Sequence, residues 1–168
     1  MKQSGAVSNQ YIGDDIRHLA GNRGVPSPEC ELQSSDRIGA SFAGSSVLLA
    51  EDEDQLLYSY SLSLQILGFQ VIAVSNGKEA LESFQNYGEA IGLLILDVSL
   101  PLLSGLEALK KIRMSGAKTP AIVISGHGES LGAKSEAKRL GARFLGKPFG
   151  MKEMQQMVTS LAPGRQPT

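Results

Sequence analysis

The chain has 168 residues, 42% hydrophobic and 20% charged, with a formal net charge of −1. That is room for one ordinary domain with a real core rather than two, and the balanced charge leaves no global field to draw in nucleic acid or anionic lipid. A single cysteine, Cys30, excludes an internal disulfide and a cysteine-based zinc cage.

Residues 1–45 are rich in Gly, Ser, Asn and Pro and poor in large apolar side chains. Such a segment buries too little surface to offset the entropy of ordering, so a flexible tail or linker is predicted. Within it, residues 11–20 have the makings of a helical turn or two, and His18 has no evident partner. The amino terminus lacks the apolar core of a signal peptide, and no apolar run exceeds strand length. No membrane span is expected, and the cytoplasm is the expected location.

From Ser46 the pattern becomes regular. Residues 47–50 read as a short apolar strand. Leu57, Tyr60, Leu64 and Leu67 then recur at helical spacing until Gly68 stops the helix. Residues 69–74 form a second strand, and Asn76-Gly77 opens a helix carrying Ala80, Leu81 and Phe84. The apolar run 91–96 is a third strand ending at Asp97. A third helix carries Leu106, Leu109 and Ile112 and ends near Gly116. Residues 120–125 are the fourth strand, followed by a weaker, polar helix over 130–140. Residues 143–145 are a short fifth strand leading to Lys147-Pro148, and a last helix shows Met154, Met157, Val158 and Leu161.

Five strand–helix units in strict alternation imply an α/β fold: a five-stranded parallel sheet with helices on both faces. Strand order 2-1-3-4-5, the flavodoxin-like arrangement, suits five units. The folded domain is expected over 46–162, with 163–168 a disordered tail. In that order the ends of strands 1 and 3 meet at the topological switch point, where open α/β sheets bind ligands. Glu51 and Asp52 should therefore face Asp97, while Ser125 and Lys147 arrive on the same rim. Three carboxylates crowded there repel one another unless one protonates or a cation binds. A hard divalent ion that keeps water in its shell fits, so Mg²⁺ is expected on Asp52 and Asp97, with Glu51 beside it directly or through water.

Four motifs in order carry a family resemblance. They are the acidic pair Glu51-Asp52; the spacing Asp97, Pro101, Gly105; Ser125-Gly126; and Phe144 followed by Lys147-Pro148-Phe149. The chain from Ser46 to about Leu161 resembles the receiver domain of bacterial two-component response regulators. The resemblance implies that Asp97 is a phosphoacceptor, charged from a phosphohistidine on a histidine kinase or phosphotransfer protein, with Lys147 neutralising the moving phosphoryl group. It implies that the Ser99 backbone carbonyl joins the Mg²⁺ ligands and that Lys147–Pro148 is cis. It also implies a switch in which Ser125 swings toward the phosphoryl group and Phe144 rotates, altering the face of helix 4, strand 5 and helix 5. Ser99 and His127 fall where the family tunes phosphoryl lifetime.

Other classes fit less well. A haloacid-dehalogenase-like phosphatase needs a second Asp where Ser99 stands. Gly146-Lys147-Pro148 lacks the rest of a phosphate loop, and Gly126-His127-Gly128 lacks the third glycine of a dinucleotide fingerprint. The chain is expected to accept phosphate rather than act as an enzyme. Two alternatives remain: the receiver portion of a hybrid histidine kinase, and an interaction module that works without phosphorylation. With no second core after Leu161, output through a target protein or a self-dimer is expected, not direct DNA binding.

Overall fold

The structure is a computed structural model, and residues 46–126 and 130–161 are described. The tails expected at 1–45 and 163–168, with His18, lie outside the described residues, as does His127. In chain order the elements are β1 (Ser46–Ala50), α1 (Asp54–Ile66), β2 (Gln70–Val74), α2 (Gly77–Tyr87), a 3₁₀ turn (Gly88–Ala90), β3 (Ile91–Asp97), α3 (Gly105–Met114), β4 (Ala121–Ser125), α4 (Ser130–Arg139), β5 (Arg143–Gly146) and α5 (Met151–Ser160). The strands form one parallel sheet in the order β2-β1-β3-β4-β5. The expected alternation and order are observed; the 3₁₀ turn before β3 was not foreseen.

The central strands β1, β3 and β4 are almost wholly buried. This is why they read as continuous apolar runs rather than as alternating ones. Their side chains nevertheless alternate between two cores. Val47, Leu49, Leu93, Ile95, Ile122, Ile124 and Leu145 pack with Tyr60 and Leu64 of α1 and Met154 and Val158 of α5. Leu48, Ala50, Leu94, Leu96, Ala121 and Val123 pack with Phe84 of α2, Leu109 and Ile112 of α3 and Ala137 of α4.

Local signals set the helix ends. The Asn76 side chain accepts from the Glu79 backbone N–H at 2.9 Å, capping α2. Ser104 and Glu107 form a reciprocal capping box at the start of α3. Glycines with positive φ, Gly68, Gly116 and Gly141, follow α1, α3 and α4. At the far end of the molecule, Arg113 donates to the carbonyls of Leu140, Ala117 and Thr119 at 2.9, 3.1 and 2.8 Å. One guanidinium thus ties the carboxyl end of α3 to that of α4, where helix dipoles favour a cation.

Candidate functional site

The expected rim forms at the carboxyl edge of the sheet. Glu51 directly follows β1, and its N–H still donates to the Val74 carbonyl at 3.2 Å. β3 ends on Asp97, and the next N–H, that of Val98, donates to Ile124 at 2.8 Å. The chain after β5 stays attached to β4 through the Lys147 N–H, which donates to the Ser125 carbonyl at 2.7 Å. These extensions of the ladder hold Glu51, Asp97 and Lys147 at one level.

Side-chain parity then decides which of them meet. Glu51, Asp97 and Lys147 continue the alternation of Leu49, Ile95 and Leu145, all of which face α1 and α5. Lys147 Nζ donates to Glu51 Oε2 at 2.8 Å and also to Asp97 Oδ2. Glu51 and Asp97 are almost fully buried, whereas the lysine is 25% exposed. Asp97 Oδ1 accepts from the Ser99 N–H at 2.7 Å, which fixes the carboxylate's orientation. The Lys147–Pro148 bond is cis.

Charge in this pocket is finely balanced. Burial pushes the Glu51 carboxyl above the usual carboxylate range and the Asp97 charge adds to the rise, while the Lys147 ammonium opposes both. Burial by itself would lower the Lys147 pKa; hydrogen bonds to Asp97 and Glu51 outweigh it and hold the ammonium above the ordinary lysine value. Burial also raises the phenol of Tyr60, which lies close enough to feel Lys147, Glu51 and Asp97.

Asp52 has the opposite parity and is exposed on the bend between β1 and α1. So the structure joins two buried carboxylates to the lysine, with the third carboxylate outside. Among the described residues, no group of three His, Cys, Asp or Glu side chains is gathered as a metal cage. The oxygen-only donors still suit Mg²⁺, which is commonly held through one or two carboxylates with waters completing its shell. Ser99 lies exposed on the loop after β3.

Ser125 and Phe144 fall on the other face of the sheet. Ser125 is fully buried, and its hydroxyl has a long 3.4 Å contact to the Gly126 carbonyl. Phe144 is half-buried and packs with the core under α2, α3 and α4. Sequence reasoning missed Tyr60, whose ring stacks on Phe149 with centroids 5.5 Å apart. The signal was available: Tyr60 shares the helical stripe of Leu57 and Leu64, and it is the only member with a polar tip.

A parallel sheet in this order, with a buried acid–lysine cluster at the switch point between β1 and β3, defines a flavodoxin-like α/β protein with a charged pocket. Residues 47–159 match the model of the response regulator receiver domain, and the chain belongs to that family. Similar curated proteins include the uncharacterized transcriptional regulatory protein YkoG of Bacillus subtilis, 34% identical over 109 residues. That match covers 64% of this chain and 46% of YkoG. Sensor kinase CckA of Brucella abortus is 30% identical over 137 residues, covering 82% of this chain and 14% of the kinase. The chain therefore spans less than half the length of either relative. Among solved structures, chemotaxis protein CheY4 of Vibrio cholerae matches with a TM-score of 0.63 at 29% identity, covering 71% of this chain and 99% of that one. A response regulator receiver domain protein of Clostridium thermocellum matches with a TM-score of 0.66 at 27% identity, covering 70% of this chain and 94% of that one. Among the described residues, no helix is long and apolar enough to cross a membrane.

Proposed function

We propose that Asp97 accepts a phosphoryl group from the phosphohistidine of a histidine kinase or phosphotransfer protein. The observation that carries this reading is the ammonium of Lys147 held against both Glu51 and Asp97 at the sheet edge. An Asp97 carboxylate oxygen forms a bond to phosphorus as the bond from phosphorus to the donor imidazole nitrogen breaks, and the imidazole takes up a proton. Ser99 N–H keeps the carboxylate aligned. Lys147, already poised on Asp97, follows the charge that develops on the phosphoryl oxygens as a point charge, which a moving group tolerates. Asp52 and Asp97 would hold Mg²⁺, with Glu51 beside it directly or through water and the Ser99 backbone carbonyl completing the set. When bound, Mg²⁺ supplies positive charge that offsets the carboxylates and the incoming phosphate.

The output follows from parity. Ser125 sits at the site level but on the face of α4, as does Phe144 two strands from the acceptor. A phosphoryl group offers strong acceptors to the Ser125 hydroxyl, and the space it leaves admits the Phe144 ring. This shifts the population of two packings of the α4, β5, α5 face toward the one that binds a target protein or a second copy. The chain acts as a stoichiometric acceptor in the cytoplasm rather than as a turnover enzyme, and the residues described here have no DNA-contacting role. The relatives named as transcriptional regulators are about twice as long as the part that matches.

Incubation with acetyl phosphate and Mg²⁺, followed by intact mass, tests the reading. A gain of one phosphoryl group is expected, absent in Asp97→Asn and absent with chelator. No gain in the native chain sinks it.

A further inference from the structure

Helix α4 is held unequally along its length. The last carbonyls of a helix have no partner within it, and at this end Arg113 of α3 supplies one: its Nε donates to the Leu140 carbonyl at 2.9 Å. The same guanidinium reaches the Ala117 and Thr119 carbonyls before β4 at 3.1 and 2.8 Å. A planar fork of fixed N–H directions suits several carbonyls at once. The chain then turns tightly into β5, with the Gly141 N–H on the Lys138 carbonyl at 3.0 Å and the Ala142 N–H on that of Ala137 at 2.8 Å. The amino end is packed far less. Leu131 is 88% exposed, and a Cβ on Gly132 would meet open space. Among the described side chains of α4, the buried ones are Ala133 and Ala137, which are too small to bury much apolar area.

We propose that Arg113 is the pivot of α4: the helix tilts about its gripped carboxyl end, and its amino end moves over the sheet. The pivot is mounted on the frame of the domain. Leu109 and Ile112 of α3 are buried, and Gly105 at the other end of α3 lies against the Asp97 carbonyl. A helix fixed at one end moves as a lever. With a rise of 1.5 Å per residue, Leu131 lies about 13 Å along the axis from Leu140 and Lys138 about 3 Å, so a tilt carries Leu131 about four times as far. The moving end is the one beside the site, because α4 follows the carboxyl end of β4, where Ser125 lies. Phe144 packs on the same side of the sheet as Ala137. A tilt therefore changes the space beside Ser125 and Phe144 without unseating the turn into β5. The use of this motion rests on the switch reading above; the pivot itself needs no phosphoryl group.

Spin labels on the full chain in a Cys30→Ser background test it. One label sits at Gln85→Cys, an exposed position on α2, and the other at Leu131→Cys or Lys138→Cys, both exposed on α4. Without phosphoryl donor, pulsed dipolar spectroscopy is expected to give a broader distance distribution to position 131 than to position 138. Arg113→Met is expected to broaden the distribution to 138 until it matches that to 131, with unfolding still cooperative. Arg113→Lys, which keeps the charge and loses the fork, is expected to fall between. Equal widths to 131 and 138 with Arg113 in place overturn the proposal, a comparison that needs no Arg113 variant. An unchanged width to 138 in a folded Arg113→Met chain overturns it too. Beryllofluoride with Mg²⁺ is then expected to shift the mean distance to 131 about four times as far as that to 138. Equal shifts overturn the pivot. No shift at either position, with the difference in widths intact, leaves the pivot standing and removes the switch reading instead.

Discussion

Gly105 lies directly against the backbone carbonyl of Asp97. A Cβ at this position would collide with that oxygen and crowd the Leu96 side chain. The eight-residue spacing from Asp97 to Gly105 is therefore a packing requirement: the loop after β3 must fold back on the acceptor before α3 begins. The Gly105 N–H completes the return, donating to Val98 at 3.3 Å.

Two substitutions in this loop should have opposite signs. Gly105→Ala is expected to cost about 1–3 kcal/mol in denaturant unfolding through overpacking, and to slow phosphoryl acceptance by tilting Asp97. Leu102 adopts φ of 66° with its side chain 80% exposed. Leu102→Gly should relieve roughly 1–2 kcal/mol of left-handed strain, less about 0.5–1 kcal/mol for glycine's freedom in the unfolded chain. A small net gain in unfolding midpoint is expected; a loss would mean that the leucine has packing of its own.

Lys147→Met leaves two buried carboxylates with no cation between them. Mutual repulsion and burial then favour protonation of the pair. Removing a partner from a fully buried ion pair costs about 3–5 kcal/mol, and roughly 2 kcal/mol is expected here because the lysine is partly exposed. Phosphoryl acceptance should fall about 10²–10³-fold. Chemical denaturation and mass-resolved phosphorylation kinetics check the two effects separately.

Glu51 makes the metal-free protein sensitive to pH. Its folded pKa lies above the ordinary 4.5, so the folded state binds the proton more tightly than the unfolded chain does. The stabilising contribution is complete below about pH 4.5 and is lost as pH rises through the folded value. Relative to Glu51→Gln, the native chain should thus lose stability between pH 4.5 and that value in the presence of chelator. A flat difference across the range would show that Glu51 titrates as it does in the unfolded chain.

Tyr60 stacks on Phe149 across the gap between α1 and the chain after β5. The stacked pair ties α1 to the segment two residues beyond the lysine. A double-mutant cycle between Tyr60→Ala and Phe149→Ala should give a coupling of about 0.5–1.5 kcal/mol. Tyr60→Phe should retain most of it, because the ring rather than the hydroxyl makes the contact. Additive single effects would dissolve the pair.

Much of the fold was legible in the chain. Uninterrupted apolar runs at 47–50, 91–96 and 120–125, separated by helical periods, have few solutions other than a parallel sheet covered on both sides. Strand ends follow from those runs, and they put Glu51, Asp52, Asp97, Ser125 and Lys147 on one rim. The helix before Gly68 was legible too, from the spacing of Leu57, Tyr60, Leu64 and Leu67, and it forms over Asp54–Ile66.

The order of residues along the chain determined the sheet, its strand order and the edge where charged groups collect, because burial pattern and crossover handedness act locally and repeat. Only tertiary packing decided that Glu51 turns inward and Asp52 outward, and that one ammonium reaches carboxylates 96 and 50 residues away. Those outcomes depend on how the strand ends line up in register and on which face each side chain meets, and neighbours in sequence do not carry that information.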